Sequence, residues 1–422
     1  MRLKYTVQLL FLLSFFASDS YALTIDTAKN TGELDTLKIV YFGSSVPLGI
    51  GAKNNFGYTS YYTEILKQRA AEGKGKAWTT VNKSVGGDNT PKLLARWDKD
   101  LVPQKAKYVL IALSLGNEGI HEFGKVRFDQ FKTNLPILIA KAREYGYTPV
   151  VTNCYAREDF MATDYDYIKQ MNLWIQTLDV PTINLLGVTD DGTGCWVPAY
   201  RFNKDHPNDG GHKEMSYAIP PSLFDALASH KPLPQMVEST GLNWGSGKKN
   251  KLINFKPENT VHSFTTNLTI KAGAKGQVLI IADSIGKKGY ITINGNGVLT
   301  YKSAFKNKIA GTIKITDGLW HNITLTHYYE RSETDVYCDG ILQGKVTERL
   351  VPRQLTLGKK GGKALSAKNW LFYRAGMNNM EVEAMGGKST LLRSSLELYA
   401  PLDGQQAPLS NLAQSLNIVQ WK

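Results

Sequence analysis

The segment "VYFGSSVPLGIGA", Val40–Ala52, runs a short apolar strand directly into Gly-Ser-Ser and then adds two further glycines. A glycine-rich turn is most often only a connection between two elements. A turn at this position can also present a serine hydroxyl at the carboxyl end of a strand, where open α/β sheets bind their ligands. The segment therefore predicts a strand followed by a tight turn, and it makes Ser45 a candidate nucleophile.

Strand-like and helix-like patterns alternate from Leu37 to Ser229. The predicted strands begin at Leu37, Ala77, Lys107, Thr148 and Pro181, and amphipathic stretches such as those from Phe123 and Thr163 lie between them. Near-continuous apolar strands that alternate with amphipathic helices are typical of a parallel sheet covered on both faces. The first half of the chain is therefore predicted to be an α/β domain.

The pattern changes after "ASHKPLPQ", Ala228–Gln235, a polar stretch with two prolines. Beyond it, short alternating strands are separated by Gly, Asn and Asp turns, which is typical of an antiparallel β-sandwich or jelly roll. A chain of 422 residues is long enough for two cores. We predict a signal peptide over residues 1–22, an α/β domain over 23–230, a linker over 231–240 and a β-sandwich over 241–422.

The positive charge is concentrated in the second half. Residues 241–422 contain 24 Lys and Arg against 12 Asp and Glu, whereas residues 1–240 contain 26 against 25. Turn lysines often serve only solubility, but they can also form an electropositive rim that collects an anionic polymer. No nucleic-acid recognition motif accompanies the charge, so nucleic acid is not a predicted partner. The lysine-rich turns lie at 245–251, 285–289, 304–308 and 357–363.

The first 22 residues have the pattern of an export signal. Basic residues precede an apolar run, and Ser20-Tyr21-Ala22 forms a small-x-small cleavage site. The run Tyr5–Ala17 is short against the roughly 20 residues that a membrane span needs. We therefore predict a secreted or periplasmic protein with no membrane span.

Three cysteines are too few for a disulfide scaffold. A bond between Cys154 and Cys195 is possible in an oxidising compartment, and three buried thiols are equally consistent with the sequence. The sequence leaves both alternatives open.

The predicted strand ends, with the segment before the last helix, supply the groups that acyl transfer requires. Ser45 follows the first strand, Gly87 the second and Asn117 the third, and His206 precedes the last helix of the α/β half. Histidine is the usual base that activates a serine hydroxyl. Backbone N–H groups at a glycine turn, together with a side-chain amide, can stabilise the oxyanion.

Taken together, these segments resemble the SGNH (GDSL-type) serine hydrolases. "FGSSVPLG", "NKSVGGDNT", "LGNEG" and "DHPNDGGH" match the four blocks that contribute Ser, Gly, Asn and His. The resemblance implies a flavodoxin-like three-layer fold and ester hydrolysis through an acyl-enzyme. It implies that Ser45 is the nucleophile and His206 the base, and that the oxyanion hole is formed by the N–H groups of Ser45 and Gly87 with the Asn117 amide.

Two positions depart from the family pattern. Ser44 stands where the first block usually has Asp, a residue that is mainly structural in the family. Asn203 stands where the family places the acid of the triad, three residues before His206. An asparagine oxygen can orient the ring but cannot stabilise the imidazolium by charge. Asp205 could take the role instead, or the enzyme could work as a Ser-His dyad, and the sequence leaves these alternatives open.

The remaining motifs concern ligands. The loop Thr189–Phe202 should border the cleft, so Trp196 and Tyr200 are candidates to stack on a sugar ring, with plain loop packing as the alternative. The run from Thr316 resembles laminin-G or concanavalin A-like sandwiches, which often bind glycans. No G-x-S-x-G elbow, phosphate-binding loop or zinc-protease motif is present, so no metal or cofactor is predicted.

The sequence therefore predicts an exported esterase that removes small acyl groups, most plausibly acetyl, from a polysaccharide. One alternative is a lipase-like esterase or acyltransferase that acts on small or lipid esters. Another is a carbohydrate-binding protein on a hydrolase fold that has lost its activity, an interpretation that Asn203 keeps open.

Overall fold

The computed structural model of the chain describes residues 32–244, 252–358, 365–386, 391–403 and 409–422. The predicted signal peptide and the lysines of the turns at 245–251 and 357–363 lie outside these ranges. Among the described residues, no helix has the length and apolar character needed to cross a membrane.

The first part of the chain, which we call the α/β region, is built on a five-stranded parallel sheet of order β2-β1-β3-β4-β5. This is the strand order of a flavodoxin-like doubly wound sheet, and the predicted α/β fold is confirmed. The strands are β1 Asp35–Gly43, β2 Thr79–Asn82, β3 Ala106–Ala112, β4 Thr148–Thr152 and β5 Thr182–Ile183.

Helices of very different length connect the strands. The longest, α6, contains Pro136 in its interior. The α-helices of this region are α1 Ser45–Leu48, α2 Tyr58–Ala71, α3 Thr90–Arg96, α4 Leu115–Glu118, α5 Ile120–Phe123, α6 Lys125–Glu144, α7 Ala162–Ile175, α8 Asp209–Tyr217 and α9 Leu223–Ala228. Short 3-10 segments lie at Lys53–Asn55, Val102–Gln104, Leu186–Val188 and Pro198–Tyr200, and a π-helical turn at Trp97–Leu101.

Strand β1 is apolar on both sides because both faces of the sheet are covered. Ile39, Val40 and Phe42 are fully buried. At its end, Gly43 approaches β3 so closely that a Cβ atom there would lie 2.0 Å from the carbonyl oxygen of Ala112. Only glycine fits this position, and the chain then turns directly into α1 at Ser45.

The second part, which we call the β region, consists of two antiparallel sheets. One has the order β12-β11-β10-β9-β16-β7-β19, and the other β15-β14-β13-β8-β17-β18 with β6 paired to β17. The antiparallel β-sandwich is confirmed. Its strands are β6 Leu242–Trp244, β7 Ile253–Phe255, β8 Phe264–Ala272, β9 Gly276–Asp283, β10 Lys288–Ile293, β11 Val298–Lys302, β12 Lys308–Lys314, β13 His321–Tyr328, β14 Glu333–Cys338, β15 Ile341–Thr347, β16 Pro352–Leu357, β17 Leu365–Tyr373, β18 Leu396–Ala400 and β19 Val419–Trp421, with one helix, α10 Asn379–Gly386.

The two regions share a buried polar junction. The guanidinium of Arg374 contacts the Glu397 carboxylate at 2.7 Å and donates to the carbonyl of Tyr217 at the end of α8. Backbone hydrogen bonds also join Thr182, on β5, to Arg393 and Ser395 of the β region. The β region therefore extends the edge of the first sheet.

Candidate active site

Ser45 is the first residue of α1 and directly follows the strand–turn formed by β1. Its Oγ lies 2.9 Å from Nε2 of His206, a residue that is distant in sequence. Gly49 adopts a left-handed conformation and ends α1, and a Cβ at Gly51 would lie 2.1 Å from the carbonyl oxygen of Pro207. The two glycines after Ser45 therefore allow the turn to close against the His206 segment.

The other nitrogen of His206 contacts the residue in the position of the family's acid. Nδ1 lies 3.1 Å from Oδ1 of Asn203. The same oxygen accepts the backbone N–H groups of Asp205 and His206, each at 2.9 Å. An amide oxygen can only accept, so Nδ1 carries the proton and Nε2 is free to accept from Ser45. Burial lowers the pKa of His206, which favours this neutral form.

Among the described residues, the Asp205 carboxylate makes no hydrogen bond to the His206 imidazole. Its carboxylate pairs with Nη2 of Arg157 at 2.7 Å, and the same guanidinium pairs with Asp159. The sequence left open which residue contacts the His206 ring. In the structure, Asn203 Oδ1 contacts His206 Nδ1, and Asp205 instead tethers the segment before His206 to Arg157.

Gly87 and Asn117 line the same cleft as Ser45 and His206. Gly87 has a φ of 76°, a left-handed conformation. Among the described residues, neither the backbone N–H groups of Ser45 and Gly87 nor the Asn117 side chain has a hydrogen-bond partner. The structure therefore brings three free donors into the cleft with the Ser45–His206 pair.

Three supporting residues have no sequence signal that would have identified them. Glu118 is buried after Asn117 and accepts hydrogen bonds from Thr90 and Gln130. His212 is buried, accepts the Tyr58 N–H at Nδ1 and contacts the carbonyl of Ile50 through Nε2. Burial lowers the pKa of His212 to about 4, so it stays neutral and holds the loop after α1. The third is Arg157, which pairs with the nearby Asp159 and also with Asp205, a residue that is distant in sequence.

The cleft is an open cavity of about 470 Å³. Ile50 contributes its one aliphatic side chain among the described lining residues, and the charged groups are Arg157, Lys204 and Asp205. The described lining residues therefore form no long apolar channel.

The predicted stacking role of Trp196 and Tyr200 is corrected by the structure. Trp196 is 1% exposed and stacks on Tyr155, and Tyr200 is 4% exposed. Buried rings offer no face to a sugar. The loop is rich in aromatic residues because it packs into the protein, which was the plainer of the two interpretations.

The structure also shows the state of the three cysteines and one cluster of residues of metal-ligating types. Cys154, Cys195 and Cys338 are all free thiols, so the possible bond between the first two is absent. Among the described residues, one cluster combines metal-ligating types, namely His321, Cys338 and Asp339. Both ring nitrogens of His321 already contact carboxylates, so the cluster is accounted for as an ion-pair network.

Residues 41–214 match the GDSL-like Lipase/Acylhydrolase family. The matched residues lie in the α/β region and make up most of it. The predicted class, carboxylic ester hydrolase, is thereby confirmed for this region, and the match spans all four segments from which Ser45, Gly87, Asn117 and His206 come.

A curated relative is an uncharacterised lipoprotein, YqeF, of Bacillus subtilis (strain 168). It is 30% identical over 123 residues, which cover 28% of this chain and 47% of the relative. The chain thus spans about half the length of the curated relative that it matches.

Several solved structures are similar to part of this chain, and each covers less than half of it. A lipase from a goat rumen metagenome is 18% identical (TM-score 0.36; 43% of this chain and 94% of the lipase). An acetylxylan esterase of Geobacillus stearothermophilus is 17% identical (TM-score 0.34; 44% and 93%). A pentraxin of Limulus polyphemus is 14% identical (TM-score 0.31; 44% and 96%).

Proposed function

We propose that the protein is an exported serine esterase that removes small acyl groups, most plausibly acetyl, from a polysaccharide. The observation that carries the proposal is the chain of contacts Asn203–His206–Ser45, with 3.1 Å and 2.9 Å between the hydrogen-bonding atoms. A base within hydrogen-bond reach of the nucleophile, itself oriented by a third group, is the arrangement that activates a serine.

In the proposed reaction, Ser45 Oγ attacks the ester carbonyl carbon while its proton moves to His206 Nε2. The N–H groups of Ser45 and Gly87 and the Asn117 amide stabilise the oxyanion. The C–O bond to the alcohol then breaks, and His206 returns the proton to the leaving alkoxide. Water, deprotonated by His206, hydrolyses the acyl-enzyme, which releases the carboxylic acid and regenerates the Ser45 hydroxyl.

Asn203 sets the character of this site. A carboxylate in its place would stabilise the imidazolium that forms when His206 takes the Ser45 proton, whereas an amide oxygen orients the ring without that charge. The protein should therefore be a slower esterase than one with a complete triad. The same reasoning favours a second candidate, a carbohydrate-binding protein whose hydrolase domain has lost its activity.

The substrate class follows from the cleft and from the attached sandwich. The charged and polar lining around Ile50 supports a small acyl group over a fatty acyl chain, which disfavours the lipase-like alternative. We propose that residues 23–230 form the catalytic domain, 231–240 the linker and 241–422 a laminin-G or concanavalin A-like jelly roll that binds the glycan. Export by the segment at residues 1–22 belongs to the same proposal.

The test is hydrolysis of p-nitrophenyl acetate and of an acetylated xylan by the mature protein beside Ser45→Ala and His206→Ala. Both changes should abolish acetate release, whereas Ser60→Ala on α2, a serine outside the cleft lining, should leave it intact. A native protein that hydrolyses neither substrate would leave the binding-protein candidate. Preference for p-nitrophenyl palmitate over the acetate would favour the lipase-like alternative.

A further inference from the structure

Two of the lysine-rich turns meet at one end of the sheet that contains β9–β12. The turn between β9 and β10 carries Lys287, and the turn between β11 and β12 carries Lys306. In an antiparallel meander, alternate turns lie at the same end of the sheet. The contact of Lys287 Nζ with the Phe305 ring, 4.1 Å to the centroid, brings the two turns together.

The strands add three lysines to the same end. Lys302 on β11 is directly opposite Lys308 on β12, and Tyr290 on β10 is directly opposite Lys302. Lys288 precedes Tyr290 by two residues and so lies on the same face. The neighbouring residues Ile291, Tyr301 and Ile309 are buried on the other face, so this face is the outer one. We call Lys287, Lys288, Lys302, Lys306 and Lys308 the lysine end.

No lysine of the lysine end pairs with an acid among the described residues. All five side chains are exposed, and none makes an ion pair or side-chain hydrogen bond with another described residue. Two buried carboxylates lie near it, and both already accept hydrogen bonds. Asp283 accepts the backbone N–H groups of Ile285 and Val351, and Glu348 accepts from the Tyr301 hydroxyl and the Ala304 N–H. Like charges directly opposite on neighbouring strands repel. A bound anion would therefore reduce the electrostatic repulsion between these lysines.

The lysine end lies on the side of the sandwich that contacts the α/β region. The N–H of Ser284, in the turn between β9 and β10, donates to the carbonyl of Val351. Val351 lies in the connection from β15 in one sheet to β16 in the other. At that same end, Tyr329 stacks on His262 at 4.0 Å, and His262 pairs with Glu214 of α8 at 2.7 Å. Helix α8 begins three residues after His206. A long polymer held by the lysines would therefore run beside the region that carries the proposed active site.

We propose that the lysine end is a docking surface for an anionic polysaccharide whose repeating acidic groups span neighbouring strands. Strands lie about 4.8 Å apart, so the lysines form an extended row of point charges without a pocket for one small anion. Several weak contacts along one chain add to a useful affinity. The choice of a polysaccharide over other polyanions rests on the proposed esterase function.

The experiment measures binding of polygalacturonate to the full mature chain carrying Ser45→Ala, so that hydrolysis plays no part. We expect salt-sensitive binding that becomes about tenfold weaker in Lys302→Gln/Lys308→Gln. The matched control is Lys76→Gln/Lys99→Gln, which removes the same charge from exposed positions of the α/β region and should bind as before.

Equal weakening in both double variants, or none in either, would overturn the lysine end as the site, and so would no binding at low salt. Tighter binding to double-stranded DNA or to phosphatidylserine vesicles than to polygalacturonate would overturn the choice of a polysaccharide. Esterase activity is measured separately on the chain with native Ser45. An inactive protein that binds through the lysine end would thus refute the proposed function alone.

Discussion

The cleft and junction differ from the lysine end in how charged side chains are used. Arg157 in the cleft pairs with Asp205, and Arg374 at the junction pairs with Glu397. The five lysines of the lysine end have no such partner among the described residues. The paired arginines of the cleft and the junction therefore hold the fold and the site in place. The unpaired lysines of the lysine end remain available to bind a ligand.

The largest expected effect comes from breaking the pair that is most completely buried. Arg374 and Glu397 have side chains that are 0% exposed. Glu397→Gln would leave a buried guanidinium without its counter-charge, which should lower the free energy of unfolding by about 3–5 kcal/mol. Urea denaturation measures the change. The double variant Arg374→Met/Glu397→Leu removes both charges and should recover part of the loss, and a single variant as stable as the native protein would contradict the comparison.

The cleft shows which contacts the sequence could predict and which it could not. The strand–turn at Ser45 and the Asn203–His206 spacing are local patterns, so the sequence could name these residues as candidates. Which residue contacts the His206 ring stayed open until the fold placed Asn203 against Nδ1. Each of Arg157, His212 and Glu118 has at least one partner that only the fold brings near, namely Asp205, Tyr58 and Thr90. No local pattern identifies these contacts. The aromatic loop was open to two interpretations, because stacking on a sugar and packing into a core use the same residue types.

The second effect is on catalysis through Arg157, which we regard as a positioning residue. Its guanidinium joins Asp205 to Asp159 and packs over Gly116, next to Asn117. Arg157→Ala frees the Asp205–His206 turn, and a displacement of about 1 Å can cost about 100-fold in rate. Hydrolysis of p-nitrophenyl acetate should fall mainly in kcat.

The pH profile separates this role from a general loss of stability. Arg157 contributes to lowering the pKa of His206, whereas Asp205 raises it. Removing Arg157 should therefore shift the acid limb of kcat/KM to higher pH. An unchanged acid limb, or Arg157→Lys behaving no better than the alanine variant, would contradict the positioning role.

A third, smaller effect sharpens the comparison by adding a charge pair where the site lacks one. Burial lowers the pKa of His206 below its usual 6.5, so the native base stays neutral, and activity persists, as the pH falls below that value. In Asn203→Asp, a carboxylate beside Nδ1 should raise the His206 pKa, move the acid limb upward and increase kcat near pH 8 by about tenfold. Asn203→Ala, which removes the contact, should lower kcat. If kcat does not increase in Asn203→Asp, position 203 does not correspond to the acid of a catalytic triad.

The smallest effect is expected at the lysine end, and it concerns stability. If Lys302 and Lys308 were held by partners as Arg374 is, Lys302→Gln/Lys308→Gln would destabilise the protein. Because both are exposed and face each other with the same charge, the double variant should change the free energy of unfolding by no more than about 0.5 kcal/mol. Because the repulsion between them is relieved, we expect the free energy of unfolding to increase slightly.

Urea denaturation at low and high salt measures this change, and the small increase should vanish as salt screens the repulsion. A loss above about 1 kcal/mol would show that these lysines, like Arg374, support the fold. An unchanged stability combined with weaker binding would assign them to a ligand, since a contact that costs nothing to remove from the free protein has its partner elsewhere.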